Sequence, residues 1–162
     1  MNRHIAIYPG SFDPFTNGHM DIVHRGLEIF DTVIIAVASN SEKNSLFSVV
    51  ERVDMITRLT DHNPRLQVET FDGLLVDYVV ERKARVILRG LRAVTDFEFE
   101  FQLAQMNHTV CPQVETLFMM TSPKFAYLSS SIVKEVGRLG GDISQFVPPL
   151  VREDLQKKFT GP

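Results

Sequence analysis

One cysteine, no long apolar run and no excess of positive charge set the outer limits for this chain of 162 residues. Cys111 stands alone before Pro112, which excludes a disulfide within one chain and any cysteine-rich metal site. No stretch reaches the roughly 18 apolar residues of a membrane span. The chain also enters the short run Ile5-Ala6-Ile7-Tyr8 without the long apolar core of a secretory signal. These features point to a cytoplasmic protein with no membrane partner. A net charge of -3 and a pI near 5.9 argue against general nucleic-acid binding, which shows as a strong basic excess. His4, His19, His24, His62 and His108 are scattered, and no pair has the spacing of a zinc motif, so no metal held by protein side chains is expected. Repeats and low-complexity segments are missing as well. With 44% apolar and 23% charged residues, the length suits a single domain over residues 1–162, burying roughly two thirds of its unfolded surface.

What is present alternates between strands and helices. Ile5 to Tyr8 and Val33 to Ala38 are apolar on both parities, as in central parallel strands, and Met20, Val23, Leu27 and Phe30 recur between them at helical spacing. Ser48 with Glu51 forms a capping box for a second helix, and Leu66 to Phe71 reads as a third strand. Leu74 to Val80 is a crossover helix before a strand at Val86 to Leu88, which empties into Arg89-Gly90-Leu91-Arg92. Asp96 to Phe101 alternates strictly, yet Thr95 or Asp96 can cap and good helix formers follow, so a helix with two apolar faces is expected there. A second apolar face suggests a subunit interface. Val114 to Met120 is the fifth strand, Ser129 to Ser131 opens a helix that ends at Gly140-Gly141, and a last helix runs from Val151 to Phe159. The sum is an α/β chain with an open five-stranded parallel sheet flanked by helices, a Rossmann-like dinucleotide-binding fold.

The chemistry concentrates at one edge of that sheet. Tyr8-Pro9-Gly10-Ser11-Phe12-Asp13-Pro14-Phe15-Thr16-Asn17-Gly18-His19 is a constrained strand-to-helix connection able to aim backbone N–H groups at a ligand. It ends in a histidine and matches neither the ATPase phosphate loop nor the dinucleotide fingerprint. At a helix start His19 stays neutral until a phosphate arrives and can donate a hydrogen bond to a phosphoryl oxygen. Lys43, Arg89 and Arg92 follow strand ends, and guanidiniums there suit phosphate, whereas Arg82, Lys83 and Arg85 read as solvated residues compensating a helix dipole. The Ser129 to Ser131 run is a helix cap or, by extension, a polyanion site. Asp13, Asp72, Asp77, Asp96, Glu98 and Glu100 read mostly as solvated or capping carboxylates. Together these residues call for a substrate carrying several phosphates.

The loop with Thr16-Asn17-Gly18-His19 resembles the T/H-x-G-H signature of the nucleotidyltransferase superfamily. With Lys43, Phe71-Asp72-Gly73-Leu74-Leu75-Val76-Asp77, Arg89-Gly90-Leu91-Arg92-Ala93, Asp96 to Glu100, Met106-Asn107 and Ser129-Ser130-Ser131-Ile132-Val133-Lys134-Glu135, the likeness is to the bacterial phosphopantetheine adenylyltransferase family and covers nearly the whole chain. That resemblance implies transfer of the adenylyl group of ATP to 4'-phosphopantetheine, giving dephospho-coenzyme A and pyrophosphate. It implies His19, Lys43 and Arg92 as catalytic residues. It places ATP against Ser11, Phe12, His19, Gly90, Leu91, Arg92, Glu100, Phe125, Ala126, Tyr127, Leu128, Ser129, Ser130 and Ser131. It places the acceptor against Ser11, Lys43, Leu74, Leu75, Arg89 and Met106. Magnesium accompanying ATP, a homohexamer and inhibition by coenzyme A are implied too. Three positions depart from the family pattern: Ser11 for threonine, Phe99 for tyrosine, and the run Phe125-Ala126-Tyr127-Leu128.

Other readings of the same residues are an adenylyl- or cytidylyltransferase for a different phosphorylated acceptor, and a non-catalytic nucleotide sensor. Arg89 to Arg92 and the apolar Leu74-Leu75 weigh against the first. The retention of His19, Lys43 and Arg92 together weighs against the second.

Overall fold

The runs that are apolar on both parities become the middle of a sheet. In this computed structural model, which describes residues 4–39, 44–92 and 94–161, β1 (Ile5–Gly10) and β2 (Thr32–Ala38) pair in parallel and bury nearly every side chain. Lys43 and Ala93 lie outside the described residues. β3 (Leu66–Phe71) forms one edge, and β4 (Val86–Leu91) with β5 (Glu115–Met120) completes a five-stranded parallel sheet in the order β3-β2-β1-β4-β5. Ile7 lies opposite Ile34 on one side and Ile87 on the other, which sets the register of the centre. Alternate residues of β2 feed two cores. Val33, Ile35 and Val37 pack with Val23, Ile56, Val133 and Leu155, while Ile34 and Ala36 pack with Val76 and Val79. Helices thus cover both faces, as an all-parallel sheet requires.

The helices are α1 (Asn17–Leu27), α2 (Val49–Thr60), α3 (Leu75–Glu81), α4 (Val94–Val110), α5 (Ser130–Arg138) and α6 (Pro149–Thr160). The Ser48–Glu51 capping box forms as the sequence predicts, with Ser48 Oγ accepting from Glu51 N and Glu51 Oε2 accepting from Ser48 N. α6 begins at Pro149, two residues earlier than expected, because a proline at the first helical position loses no helical hydrogen bond. No helix among the described residues is long and apolar enough to cross a membrane.

Three sequence expectations change. β4 continues through Leu91, so Arg89 and Gly90 sit within the strand, opposite Phe118 and Met119, rather than in a loop after it. The alternating segment is helical as expected, but α4 starts at Val94, so neither Thr95 nor Asp96 precedes it as a cap. Arg82 is not simply solvated: its Nε donates to Glu69 Oε2 at 2.5 Å, and its guanidinium lies over the Tyr78 ring. The Tyr78 hydroxyl also donates to Glu69, and burial with that bond pushes its pKa up to about 12.

Strand order reverses between β1 and β4. In open α/β sheets ligands bind outside the carboxyl ends of strands at such a switch point, and here those ends carry Gly10 and Leu91.

Candidate active site

The connection from β1 to α1 is held by what surrounds it. Phe12 is buried with φ of 51°, an uncommon left-handed backbone for a bulky residue, so its neighbours must over-determine it. Its ring lies under Gly10, where a Cβ would come within 2.8 Å of Phe12 Cζ, so position 10 tolerates only glycine without rearrangement. Thr16 caps α1, its Oγ1 accepting from His19 N at 3.3 Å.

The reciprocal half of that cap sets the state of His19. Thr16 N donates to His19 Nδ1 at 3.0 Å. A backbone amide can only donate, so Nδ1 is the acceptor and the ring proton resides on Nε2. The imidazole is packed edge-on against Phe12, with ring centroids 5.1 Å apart, and against Phe15 at 5.3 Å. Burial, and then the charges of Arg92 and Arg89, lower its pKa to about 3. A neutral ring with its free N–H on Nε2 therefore stands in the wall of the cavity.

That cavity, about 490 Å³, opens between β1, β4, α4 and the start of α5. His19, Ser11, Phe12, Gly90, Arg92 and Phe125 line it, as do Arg89, Glu100, Leu128, Ser129 and Ser130. Gly90 admits α1 to the sheet, since a Cβ there would approach Ile22 Cγ1 to 3.2 Å. Arg89 leaves β4 on the face covered by α4. Its Nε donates to Glu100 Oε2 at 2.8 Å, its Nη2 to Glu100 Oε1, and its Nη1 to Pro9 O at 3.0 Å. Burial alone would lower the arginine pKa, but the Glu100 pair more than offsets it. Arg92 spans the opening, donating to Leu128 O at 3.0 Å and to Asp96 Oδ2 at 3.0 Å. Burial pushes the Tyr8 hydroxyl well above its usual range, so this wall residue is a neutral phenol. α5 directs its N-terminus at the same space, with Ser129 Oγ accepting from Ile132 N at 3.2 Å and Ser130 Oγ donating to Pro14 O at 2.7 Å.

Other residues expected at the site fall outside the cavity wall. Leu91 is buried beside it, Ser131 is exposed on α5, and Ala126 is exposed. Tyr127 is exposed and meets Phe146 edge-on. Leu75 lines a small second cavity with Arg89, Glu100 and Asn107, whereas Leu74 and Met106, next to Leu75 and Asn107 in sequence, are exposed and line neither cavity. Among the described residues no group of three His, Cys, Asp or Glu side chains could hold a metal ion.

Besides Glu100, which is 8% exposed rather than solvated, two buried charges were misjudged or missed in the sequence. Asp13, grouped there with solvated carboxylates, is 5% exposed and accepts from Leu46 N, Phe47 N and Lys134 Nζ. Arg52, which received no role, is 1% exposed and donates to Ser11 O at 2.6 Å. The signal for Arg52 was legible. It falls three and four residues before Met55 and Ile56, on the stripe of α2 that faces the core.

Residues 7–136 match the cytidylyltransferase-like family. The phosphopantetheine adenylyltransferase of Geobacter metallireducens is 65% identical over 162 residues, which is all of this chain and 99% of that protein. The protein of the same name from Geobacter sulfurreducens is 62% identical over 162 residues, again all of this chain and 99% of the relative. A third, from Syntrophotalea carbinolica, is 62% identical over 159 residues, 98% of this chain and 96% of its own.

Proposed function

The chain belongs to the cytidylyltransferase-like family, and from that premise we propose that it is a nucleotidyltransferase that moves the adenylyl group of ATP onto 4'-phosphopantetheine, giving dephospho-coenzyme A and pyrophosphate. The observation that carries the chemistry is the neutral His19, its Nδ1 taken by the Thr16 amide, standing in a wall with Arg89, Arg92 and the N-terminus of α5. The attacking group is an acceptor phosphate, already an anion, so no general base is needed. An acceptor oxygen forms the new bond to the α-phosphorus as the bond to the pyrophosphate oxygen breaks. The protein aligns the two phosphates and offsets the charge that builds up.

In this reading His19 Nε2–H donates to an α-phosphate oxygen. Arg92, the N–H groups after Gly10, Ser129 and Ser130 hold the remaining ATP phosphates. Glu100 takes Nε–H and one Nη2–H of Arg89, Pro9 O takes one Nη1–H, and the two N–H groups left over serve the acceptor phosphate, together with Lys43 from outside the described residues. The apolar arm of the acceptor runs toward Leu75, past Leu74 and Met106. Magnesium is assigned to the phosphates of ATP, since among the described residues the cavity offers no carboxylate cluster for it. We further propose that residues 1–162 act as one domain, that the protein works in the cytoplasm where ATP is supplied, and that coenzyme A inhibits it at this site. A homohexamer is supported by α4, which exposes Phe97, Phe99, Phe101, Met106 and Val110.

The test is pyrophosphate release from ATP and magnesium with 4'-phosphopantetheine, nicotinate mononucleotide or glycerol 3-phosphate as acceptor. Release with phosphopantetheine alone is expected. No release with it, or equal release with all three, overturns the assignment.

A further inference from the structure

The loop that carries Ser11 and Phe12 is anchored by charges that line neither cavity. Asp13 Oδ2 accepts from Lys134 Nζ at 2.8 Å and from Leu46 N at 2.9 Å, and Oδ1 accepts from Phe47 N at 2.8 Å. Arg52 Nη1 donates to Ser11 O at 2.6 Å, and its Nε donates to Phe47 O at 3.2 Å. Lys134 lies one turn beyond Ser130 on the same face of α5, so the helix grips the loop twice, at Pro14 O through Ser130 and at Asp13 through Lys134.

An ion pair between a buried Asp13 and a half-buried Lys134 is weak evidence for stability, because desolvation consumes much of its Coulomb energy. What it supplies is fixed geometry. The pair joins the two structures that meet ATP in the reading above, the β1–α1 loop and the N-terminus of α5. Through Leu46 and Phe47 it also reaches the segment that follows Lys43 in sequence. We propose that Asp13, Lys134 and Arg52 are positioning residues for adenylyl transfer. They hold Ser11 and the α5 N-terminus in mutual register, and Lys134 acts on ATP only through Asp13. The proposal rests on the functional reading above.

Lys134→Met removes the α5 contact to Asp13, keeps that of Ser130 to Pro14 O, and leaves Asp13 its two backbone donors, so the 44–47 segment stays anchored. The expected result is a loss of about 10-fold in kcat and a rise of about 10-fold in the KM and calorimetric Kd for ATP, with a smaller rise in the KM for phosphopantetheine, which shares only Ser11 with the displaced loop. Lys134→Arg, which keeps the charge and a donor, restores most of both. Asp13→Asn combined with Lys134→Met removes both charges of the pair and leaves Arg52 its carbonyl acceptors, Ser11 O and Phe47 O, and it should show the same loss for ATP. Wild-type turnover in the same assay tests the functional reading separately, and ATP affinity by calorimetry needs no acceptor at all. Wild-type kcat and ATP affinity in the double variant, whatever its melting temperature, would reduce the pair to structure alone and sink the proposal. So would a Lys134→Arg protein as impaired as Lys134→Met.

Discussion

At the scale of single residues the decisive group is the His19 ring, whose two nitrogens have different tasks. Nδ1 is consumed by the Thr16 amide, leaving Nε2–H as the one donor the ring can offer. His19→Ala is therefore expected to lower kcat about 10²-fold or more with a much smaller change in either KM, as removal of one transition-state donor does. Steady-state kinetics with both substrates varied decides it, and near-normal turnover would remove His19 from the mechanism. The depressed pKa has a second consequence. Between its unfolded value near 6.5 and about 3 in the native protein, the unfolded chain binds a proton that the folded one does not. The stability due to the neutral ring is complete above pH 6.5 and is lost as pH falls through that window, amounting to about 2 kcal/mol by pH 5. Denaturant melts of wild type and His19→Gln at pH 7.5 and 5 should show the pH slope reduced in the variant. Equal slopes would place the titration elsewhere.

At the scale of elements, α5 is both structure and cavity wall. Its cap is Ser129, and a cap residue replaced by alanine typically costs about 1 kcal/mol. Because the same hydroxyl stands in the cavity wall, Ser129→Ala should also raise the KM for ATP several-fold while leaving that for the acceptor alone. A fall in melting temperature with unchanged ATP kinetics would make Ser129 a cap only. α4 shows how an element can contradict its local pattern. Asp96 to Phe101 alternates as a strand does, yet on a helix Phe97 and Phe101 become neighbours, with ring centroids 5.7 Å apart, and Glu100 is turned inward to Arg89. The alternation was a sign of two apolar faces rather than of period two.

At the scale of the whole molecule, the exposed face of α4 is the largest departure from a self-contained fold. Phe101→Glu, at a position outside both cavities, is expected to shift the protein from the proposed hexamer to smaller species in sedimentation velocity with secondary structure unchanged. Identical sedimentation of variant and wild type would free α4 of that role. Much of the fold was readable beforehand. The doubly apolar runs required central parallel strands, the capping box at Ser48 set the start of α2, and glycines with His19 marked the strand-to-helix loop as a ligand-binding connection. Those features follow from backbone chemistry and burial, which act over a few residues. The sequence alone also supplied the cations of the site, since phosphates need them whatever the fold. Which of them are spoken for was decided only in three dimensions. Arg89 is taken on one edge by Glu100, Arg52 is sealed under Ser11, and Asp13 turns away from solvent to receive Lys134 from 121 residues further along the chain. No local pattern encodes such pairings, because a buried charge is compensated by whatever partner the packing brings within hydrogen-bonding distance.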